Sequence, residues 1–246
     1  MTNFITITTL LMSIFFPALM LCITYPFSRK AALFWSDYIS SRTARLCFAI
    51  LKTFCNFSLD ADYKSRKNLP EQFVLLSNHQ SLLDIVAFFV YFSDKKIRFV
   101  AKDALAKAPM VGKMLKSQQH CVIPRKGKIQ VAMKNLEVYS KRVLQSKAIP
   151  LIFPEGTRSR DGNIGKFHPA GFRKINEVTQ LPVVVCAIDG GWQIGNLKQV
   201  FCNLKNGKFR VKVLKVYDCP KNKEDEIQLL DEAHALMENQ LSEWRK

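Results

Sequence analysis

The feature that most restricts the fold of this chain is a series of short apolar runs separated by segments of helical periodicity. Each run is nearly continuously apolar and too short for a core helix, which is typical of a strand buried on both faces. Such strands, separated by helices, predict an α/β domain with a largely parallel sheet that helices cover on both faces. The six candidate strands are 73–77, 97–101, 120–123, 150–153, 182–188 and 209–217.

The segments between these runs carry apolar residues at helical spacing. The pattern is clearest where Ile129, Met133 and Leu136 follow one another at intervals of four and three. No internal repeat or low-complexity linker interrupts the series, so residues 59–246 are predicted to form one domain. The predicted helices are 81–92, 103–117, 128–147, 168–180 and 222–245.

Residues 1–58 are predicted to form a membrane-anchoring helical segment. No charged side chain occurs before Arg29, and about 24 apolar residues would form a helix of roughly 36 Å, longer than the ~30 Å hydrocarbon core. Pro17 near its middle leaves two topologies open, a span or a hairpin. The basic residues that follow predict that the rest of the chain faces the cytoplasm. A second helix, over 44–57, would lie in the membrane interface or pack on the domain.

The positive charge of the chain is concentrated in one region. The net charge is +17 at pH 7, and residues 95–174 contain 19 lysines and arginines against four acids. Such a field attracts nucleic acid, an anionic membrane surface or phosphorylated substrates. The apolar N-terminal segment favours a membrane surface and phosphorylated substrates over nucleic acid as the partners of this region. The seven scattered cysteines include no C-x-x-C pair, which indicates reduced thiols and neither a disulfide framework nor a zinc site.

Three polar loops directly follow predicted strands. Ligands of α/β folds collect at the carboxyl ends of strands, and these ends meet at one edge of a parallel sheet. The three loops are therefore predicted to share one site. Their sequences are NHQSLLD (78–84), PRKGK (124–128) and FPEGTRSRDG (153–162).

His79 and Asp84 are the predicted catalytic pair. Ser81 and Asp84 have the spacing of a capping box, which by itself would account for the aspartate. It would not account for His79, which lies just outside the predicted helix, where the carboxylate of Asp84 can fix the tautomer of its ring. The other ring nitrogen would then act as a general base for a substrate hydroxyl. The chain has no G-x-S-x-G motif, which favours direct transfer that requires neither a metal nor a covalent enzyme intermediate.

The other two loops supply groups that suit a phosphate. Gly156, Thr157 and Arg158 offer backbone amides, a hydroxyl and a guanidinium fork. Glu155 is an acid within the basic region, and we expect it to orient Arg158 or a substrate hydroxyl. The alternative interpretation of the same loop is a solvated surface turn. Two further cations at strand ends are Lys102 and Arg125.

At these residues the chain resembles the 1-acyl-sn-glycerol-3-phosphate acyltransferase family, the glycerolipid acyltransferases with an H-x-x-x-x-D motif. NHQSLLD matches the first family motif, FPEGTRS (153–159) the third and LPVVVCAID (181–189) the fourth, with Pro182 as the usual proline. The second motif departs from the family pattern, because QHCVIPR (119–125) lacks its glycine and phenylalanine and has Pro124 before the arginine. The likeness covers roughly residues 60–220.

The resemblance implies that His79 is the base and Asp84 its partner. It also implies a substrate site in which Arg125 and the EGTR sequence bind glycerol phosphate, and whose members are Asn78, Ser81, Lys102, Arg125, Glu155, Gly156, Thr157, Arg158 and Pro182. The acyl donor would be a thioester of coenzyme A or acyl carrier protein, with no further cofactor.

The implied reaction acylates the free sn-2 hydroxyl of lysophosphatidic acid to phosphatidic acid, in phospholipid biosynthesis at an anionic inner-membrane surface. Two alternatives stay open. The first is an acyltransferase for another lysophospholipid or a lyso-aminolipid. The second is a membrane-tethered nucleic-acid-binding module, which we do not expect because aromatic residues do not interleave with the lysines of the basic region.

Overall fold

One seven-stranded sheet forms the centre of the domain. The structure, a computed structural model, describes residues 2–124, 129–195 and 197–246. The six predicted strands are confirmed, each to within one residue at either end, and β1 is an additional strand that the sequence did not indicate. The strands are β1 (Ser58–Ala61), β2 (Val74–Ser77), β3 (Ile97–Lys102), β4 (Cys121–Ile123), β5 (Ile149–Ile152), β6 (Val183–Asp189) and β7 (Lys208–Tyr217).

The strands run in the order β1-β7-β6-β2-β5-β3-β4. Every pair of neighbours is parallel except β6 and β7, which are antiparallel. This confirms the largely parallel sheet. The carboxyl ends of β2 to β6 therefore lie at one edge, and the amino end of β7 lies there as well, since Asp189 of β6 is opposite Arg210 of β7.

Most of the predicted helices are confirmed to within two residues. The exception is the segment 103–117, which is divided because Pro109 begins a new helix and cannot donate the hydrogen bond that would continue the previous one. Residues 39–43 form a π-helical turn and 191–194 a 3₁₀ turn. The α-helices are α1 (Thr2–Thr24), α2 (Arg29–Tyr38), α3 (Ala44–Cys55), α4 (Leu83–Tyr91), α5 (Asp103–Ala106), α6 (Pro109–Ser117), α7 (Ile129–Gln145), α8 (Pro169–Thr179), α9 (Leu197–Asn203) and α10 (Lys223–Trp244).

Apolar side chains fill both faces of the sheet. On β2, Leu75 belongs to the cluster that includes α3 and α4, while Val74 and Leu76 belong to the cluster that includes α7, α8 and α10. Phe88 of α4 and Met237 of α10 are fully buried in these two clusters. Burial on both faces explains why the strands read as continuous apolar runs and not as alternating ones. The predicted helical cover on both faces is confirmed.

The N-terminal helices form an antiparallel pair. Helix α1 continues through Pro17, and α2, the π-helical turn and α3 then return along it as one uninterrupted helical run. The ring of Phe16 contacts Trp35 at 5.7 Å, and Thr6 Oγ1 lies 3.1 Å from Cys55 Sγ. By length and composition, α1 is the one helix in the described chain that could cross a membrane. The apolar side chains of α1 that face away from this pair are exposed. Because α1 does not turn back at Pro17, the hairpin at that residue is not observed.

The helix predicted over 44–57 is α3, and it packs on the domain. Phe48 and Leu51 are buried in the cluster on one face of the sheet. Leu46 and Phe54, on the other side of the helix, are 46% and 38% exposed. Of the two alternatives for this segment, the structure therefore shows packing, with an apolar stripe left on the outside.

Candidate active site

The histidine and aspartate indicated by the sequence lie together at the carboxyl end of β2. His79 Nδ1 is 2.8 Å from Asp84 Oδ2, and Asp84 is fully buried while the His79 side chain is 14% exposed. A carboxylate accepts hydrogen bonds, so Nδ1 carries the proton and Nε2 keeps its lone pair. Within the described residues, nothing bonds to Nε2. The pair has the arrangement that a general base requires.

Asp84 also caps the start of α4. Its Oδ2 accepts hydrogen bonds from the backbone N–H of Gln80 at 2.6 Å and of Ser81 at 2.9 Å. Ser81 Oγ accepts from the N–H of Leu83 at 3.0 Å. The bond from the Ser81 N–H to Asp84 is one half of a capping box, whereas Ser81 Oγ accepts from residue 83 and not from residue 84. The two interpretations do not exclude each other, because one carboxylate oxygen bonds to the backbone before α4 and to the imidazole of His79. The catalytic role of the pair stays a prediction.

The loop after β5 makes three contacts with His79. Phe153 stacks on the imidazole with ring centroids 4.0 Å apart and planes 9° from parallel. The N–H of His79 donates to Glu155 Oε1 at 2.7 Å, and its carbonyl accepts from the N–H of Ser159 at 2.7 Å. The first and third polar loops therefore form one structure around the histidine, as their positions after neighbouring strands predicted.

Glu155 has a different partner from the one expected. Its carboxylate is 5% exposed and accepts from the N–H groups of His79 and, at 2.8 Å, of Gly165, whereas Arg158 is exposed. Burial raises the pKa of the Glu155 carboxyl, and the two N–H donors offset part of that rise. Glu155 therefore does not orient Arg158 but the backbone of His79. Its predicted bond to a substrate hydroxyl stays a prediction.

The turn formed by Gly156, Thr157 and Arg158 is exposed beside the histidine. Gly156 has a φ of +64° and open space where a side chain would project. Across the described part of the chain, no carboxylate lies within 4.0 Å of Arg158, and its guanidinium is therefore available for an anion. The binding of a phosphate by these three residues stays a prediction.

Asn78 and Ser81 are structural in this conformation. Asn78 is 1% exposed, and its amide exchanges two hydrogen bonds with the backbone of Ile188, at 2.8 and 2.9 Å. These bonds join the ends of β2 and β6. Ser81 is 2% exposed and its hydroxyl serves the cap described above. In this conformation their polar atoms face the protein and not the surface, and their contact with substrate stays a prediction.

Pro182 lies at the wrong edge of the sheet for a substrate contact. It precedes β6 and accepts a hydrogen bond from the N–H of Val74 at the start of β2. The seven residues of β6 span about 23 Å at ~3.3 Å per residue, which separates Pro182 from the site at the other end. Lys102 is exposed at the correct edge, two strands from β2. Arg125 lies outside the described residues.

Several side chains around the pair were not indicated by the sequence. Gln80 bonds to Asp189 and to the N–H of Gly191. The Cα of Gly191 approaches so closely that a Cβ there would lie 2.7 Å from Asp84 Oδ1. The pair of glycines directly after β6 was the available signal, because glycine after a strand often marks a close approach. Among the described residues, no cluster of three or more potential ligands could hold a metal ion.

Comparison with known proteins gives one family. The family model described as Acyltransferase matches residues 60–189. The chloroplastic 1-acyl-sn-glycerol-3-phosphate acyltransferase of Brassica napus is 29% identical over 152 residues, 59% of this chain and 43% of that protein. The 1-acyl-sn-glycerol-3-phosphate acyltransferase of Helicobacter pylori is 31% identical over 161 residues, 65% of this chain and 63% of that protein. The chain thus spans less than two thirds of the length of these relatives.

A solved structure shares the fold over its whole length. The 1-acyl-sn-glycerophosphate acyltransferase PlsC of Thermotoga maritima superposes with a TM-score of 0.64, covering 100% of this chain and 98% of that one. The two sequences are 18% identical. At that identity the likeness is evidence for the fold, including the N-terminal helices and the mixed sheet.

Proposed function

Since this chain belongs to the acyltransferase family, we propose that it transfers an acyl group from a thioester to the free sn-2 hydroxyl of lysophosphatidic acid, forming phosphatidic acid. The observation that carries the proposal is the bond between His79 Nδ1 and Asp84 Oδ2 at 2.8 Å, next to the exposed Arg158. A base and a phosphate-binding cation in one site suit an acceptor that has both a hydroxyl and a phosphate. The curated relatives that bear this activity in their names support the choice of acceptor.

In this proposal His79 Nε2 removes the proton of the acceptor hydroxyl while the hydroxyl oxygen attacks the thioester carbonyl. Asp84 stabilises the imidazolium that forms. The carbon–sulfur bond then breaks, the ester carbonyl re-forms, and the leaving thiolate takes the proton from His79. Holding both substrates beside the base lowers the entropic part of the barrier.

The developing oxyanion needs hydrogen-bond donors, and those of the first motif are occupied. The N–H of His79 bonds to Glu155, and the N–H groups of Gln80 and Ser81 bond to Asp84. In this conformation these three amides are therefore not available to an oxyanion. We assign that task to the N–H groups of Thr157 and Arg158 in the exposed turn, because the N–H of Gly156 already donates to the carbonyl of Phe153 at 3.1 Å.

The test is an acyl-transfer assay of the purified full chain with labelled acyl-coenzyme A and acyl carrier protein thioesters. The acceptors are lysophosphatidic acid, other lysophospholipids and a lyso-aminolipid. We expect labelled phosphatidic acid. Transfer only to another acceptor would establish the alternative lysolipid acyltransferase. No transfer at all, with salt-sensitive retention of DNA by the His79→Ala protein, would favour a nucleic-acid-binding module.

We further propose that the N-terminal helical pair attaches the enzyme to the inner membrane, with the domain on the cytoplasmic side. The exposed apolar side chains of α1 support this, since an apolar face of such size is unfavourable in water. The net charge of +15 that residues 95–174 carry would add attraction to anionic lipid. Protease accessibility in sealed inner-membrane vesicles of either orientation tests the side.

Arg158→Ala is expected to raise the KM for lysophosphatidic acid by roughly 10- to 150-fold while changing kcat little, because a guanidinium–phosphate bond contributes about 1.5–3 kcal/mol. Arg142→Ala is the matched control, since Arg142 is also exposed but lies on α7 near the start of β5, at the opposite edge of the sheet. Steady-state kinetics with varied acceptor measure both. An unchanged KM in Arg158→Ala would assign the phosphate to another part of the site.

Gly191→Ala is expected to lower kcat by roughly tenfold or more, because its new Cβ would displace the carboxylate of Asp84 and small misplacements are costly in catalysis. Gly195→Ala is the control, since the nearest atoms to a Cβ at that position lie 3.5 Å away, an ordinary contact. The measurement is kcat for both variants under saturating substrates. Equal and parental kcat values would show that Asp84 tolerates the displacement.

A further inference from the structure

Arg245, the residue that follows α10, bonds to two separate parts of the candidate site. Its Nη2 and Nε donate to the two carboxylate oxygens of Asp189, at 2.6 and 3.1 Å. The same Nη2 donates to the carbonyl of Gly162 at 2.9 Å. Its guanidinium also lies 5.8 Å from the ring of Trp192. One side chain thus joins the end of β6 to the loop that follows β5.

The first connection leads to the catalytic pair through Gln80. Asp189 is 4% exposed, and its Oδ1 accepts from the side-chain amide of Gln80 at 3.1 Å. The backbone N–H of Gln80 donates to Asp84 Oδ2, the same oxygen that bonds to His79. A buried carboxylate such as Asp189 requires a cationic partner to stay in place. Arg245 supplies that partner, so it indirectly fixes the residue that orients Asp84.

The second connection reaches His79 from the other side. The N–H of Gly162 donates to Ser159 Oγ at 2.9 Å, and the N–H of Ser159 donates to the carbonyl of His79 at 2.7 Å. Gly162 has a φ of +88°, and a Cβ there would lie 2.8 Å from Trp192 Nε1 and 2.9 Å from Arg245 Nη2. The loop therefore fits closely against the guanidinium, and only glycine suits its backbone at this point.

We propose that Arg245 is a positioning residue for acyl transfer, which holds the backbone on both sides of His79 through Asp189 and Gly162. The inference rests on the proposed function and names a residue that acts on the same site. A guanidinium is suited to the task because its planar fork can bond to a carboxylate and a carbonyl at once, whereas the ammonium of lysine is a point charge.

A simpler role for Arg245 would be to dock the end of α10, and the chain offers a control for that role. Arg210 Nη1 donates to the carbonyl of Trp244 at 2.6 Å, and so also holds the end of α10. Among the described residues, Arg245 forms an ion pair with the carboxylate of Asp189, whereas Arg210 has no nitrogen within 4.0 Å of that carboxylate. Arg210→Gln therefore loosens the same helix end without removing the two connections to His79.

Arg245→Gln is expected to lower kcat roughly tenfold, while the KM values for donor and acceptor stay within about twofold of the parent. Arg245→Lys should retain an intermediate kcat. Arg210→Gln should keep the parental kcat even if its Tm falls as far as that of Arg245→Gln. In the double variant Asp189→Asn/Arg245→Gln, the loss should be no greater than in the more affected single variant, because the two substitutions remove the same Asp189–Arg245 ion pair.

Equal kcat losses in Arg245→Gln and Arg210→Gln would overturn the inference, as would losses that multiply in the double variant. If Arg245→Gln does not fold, Arg245→Lys and Asp189→Asn decide the question, since parental kcat in both contradicts the proposal. Failure of the proposed function would give a different result from failure of this inference, because the parent protein would then acylate no lysophospholipid. The inference about Arg245 alone would be overturned if the parent is active, the His79→Ala protein is inactive and the Arg245→Gln protein keeps the parental kcat.

Discussion

Replacing His79 with alanine is expected to reduce kcat by roughly 10²- to 10⁴-fold, the contribution of a positioned general base. The variant keeps Asp84 and the exposed turn, so it should still bind both substrates, but no group remains that can take the proton of the acceptor hydroxyl. The His79 Nδ1 bond to Asp84 at 2.8 Å is the only bond between side chains that the histidine makes with described residues. The measurement is the rate of phosphatidic acid formation from labelled acyl thioester at saturating substrate.

His234→Ala is the matched control for this variant. His234 is on α10, where its Nδ1 lies 3.3 Å from the carboxylate of Glu238, so it too is a histidine paired with an acid. Its removal should leave kcat at the parental value. The His79→Ala protein should keep the far-ultraviolet circular dichroism of the parent, since the side chain is peripheral to both apolar clusters. A folded His79→Ala protein with parental kcat would exclude His79 as the base.

Asp84→Asn is expected to have the second large effect, and unlike the first it should affect stability as well as catalysis. Asp84 is fully buried, and its Oδ2 accepts from His79, Gln80 and Ser81. If the asparagine amide nitrogen replaces Oδ2, it faces N–H donors, and an unsatisfied buried donor costs about 1–3 kcal/mol. We expect the free energy of unfolding to fall by about that amount and kcat to fall on the order of 10²-fold or more, because the imidazole loses its fixed tautomer.

The two effects of Asp84→Asn can be separated by measuring kcat well below the Tm of the variant. Asp231→Asn is the control, since Asp231 is exposed on α10 and its replacement should change neither quantity. A destabilised variant that retains parental kcat would show that Asp84 only caps α4. Loss of kcat with parental stability would show that the cap contributes little and that the carboxylate serves His79 alone.

The parts of the site that the sequence indicated correctly are those within one short segment. His79 and Asp84 are five residues apart, and the strand before them and the helix after them were both predicted. Once those two elements form, a contact between the side chains follows from local geometry. The same holds for the capping bonds of Ser81. The role of the pair as base and partner stays a prediction that the variants above test.

The surroundings that the sequence did not indicate are those of residues whose environment depends on distant segments. Glu155 bonds to the backbone of His79, 76 residues earlier, and Asn78 to that of Ile188, 110 residues later. Pro182 was assigned to the site because it belongs to a family motif, but the length of β6 places it at the other edge of the sheet. Helical and strand periodicity describe one segment at a time, and they contain no information about which loops meet.

The sequence alone determined the fold class, the boundaries of most elements and the contact between His79 and Asp84, because these follow from the spacing of apolar residues and from contacts within a few residues. Only the tertiary structure decided how the pair is held. Phe153 and Ser159 contact His79, and Gly191 lies against Asp84. Arg245 joins the end of β6 to the loop after β5. These groups come from strands that are neighbours in the sheet but far apart in the chain. Which backbone atoms then lie within hydrogen-bond distance depends on the packing of the whole domain.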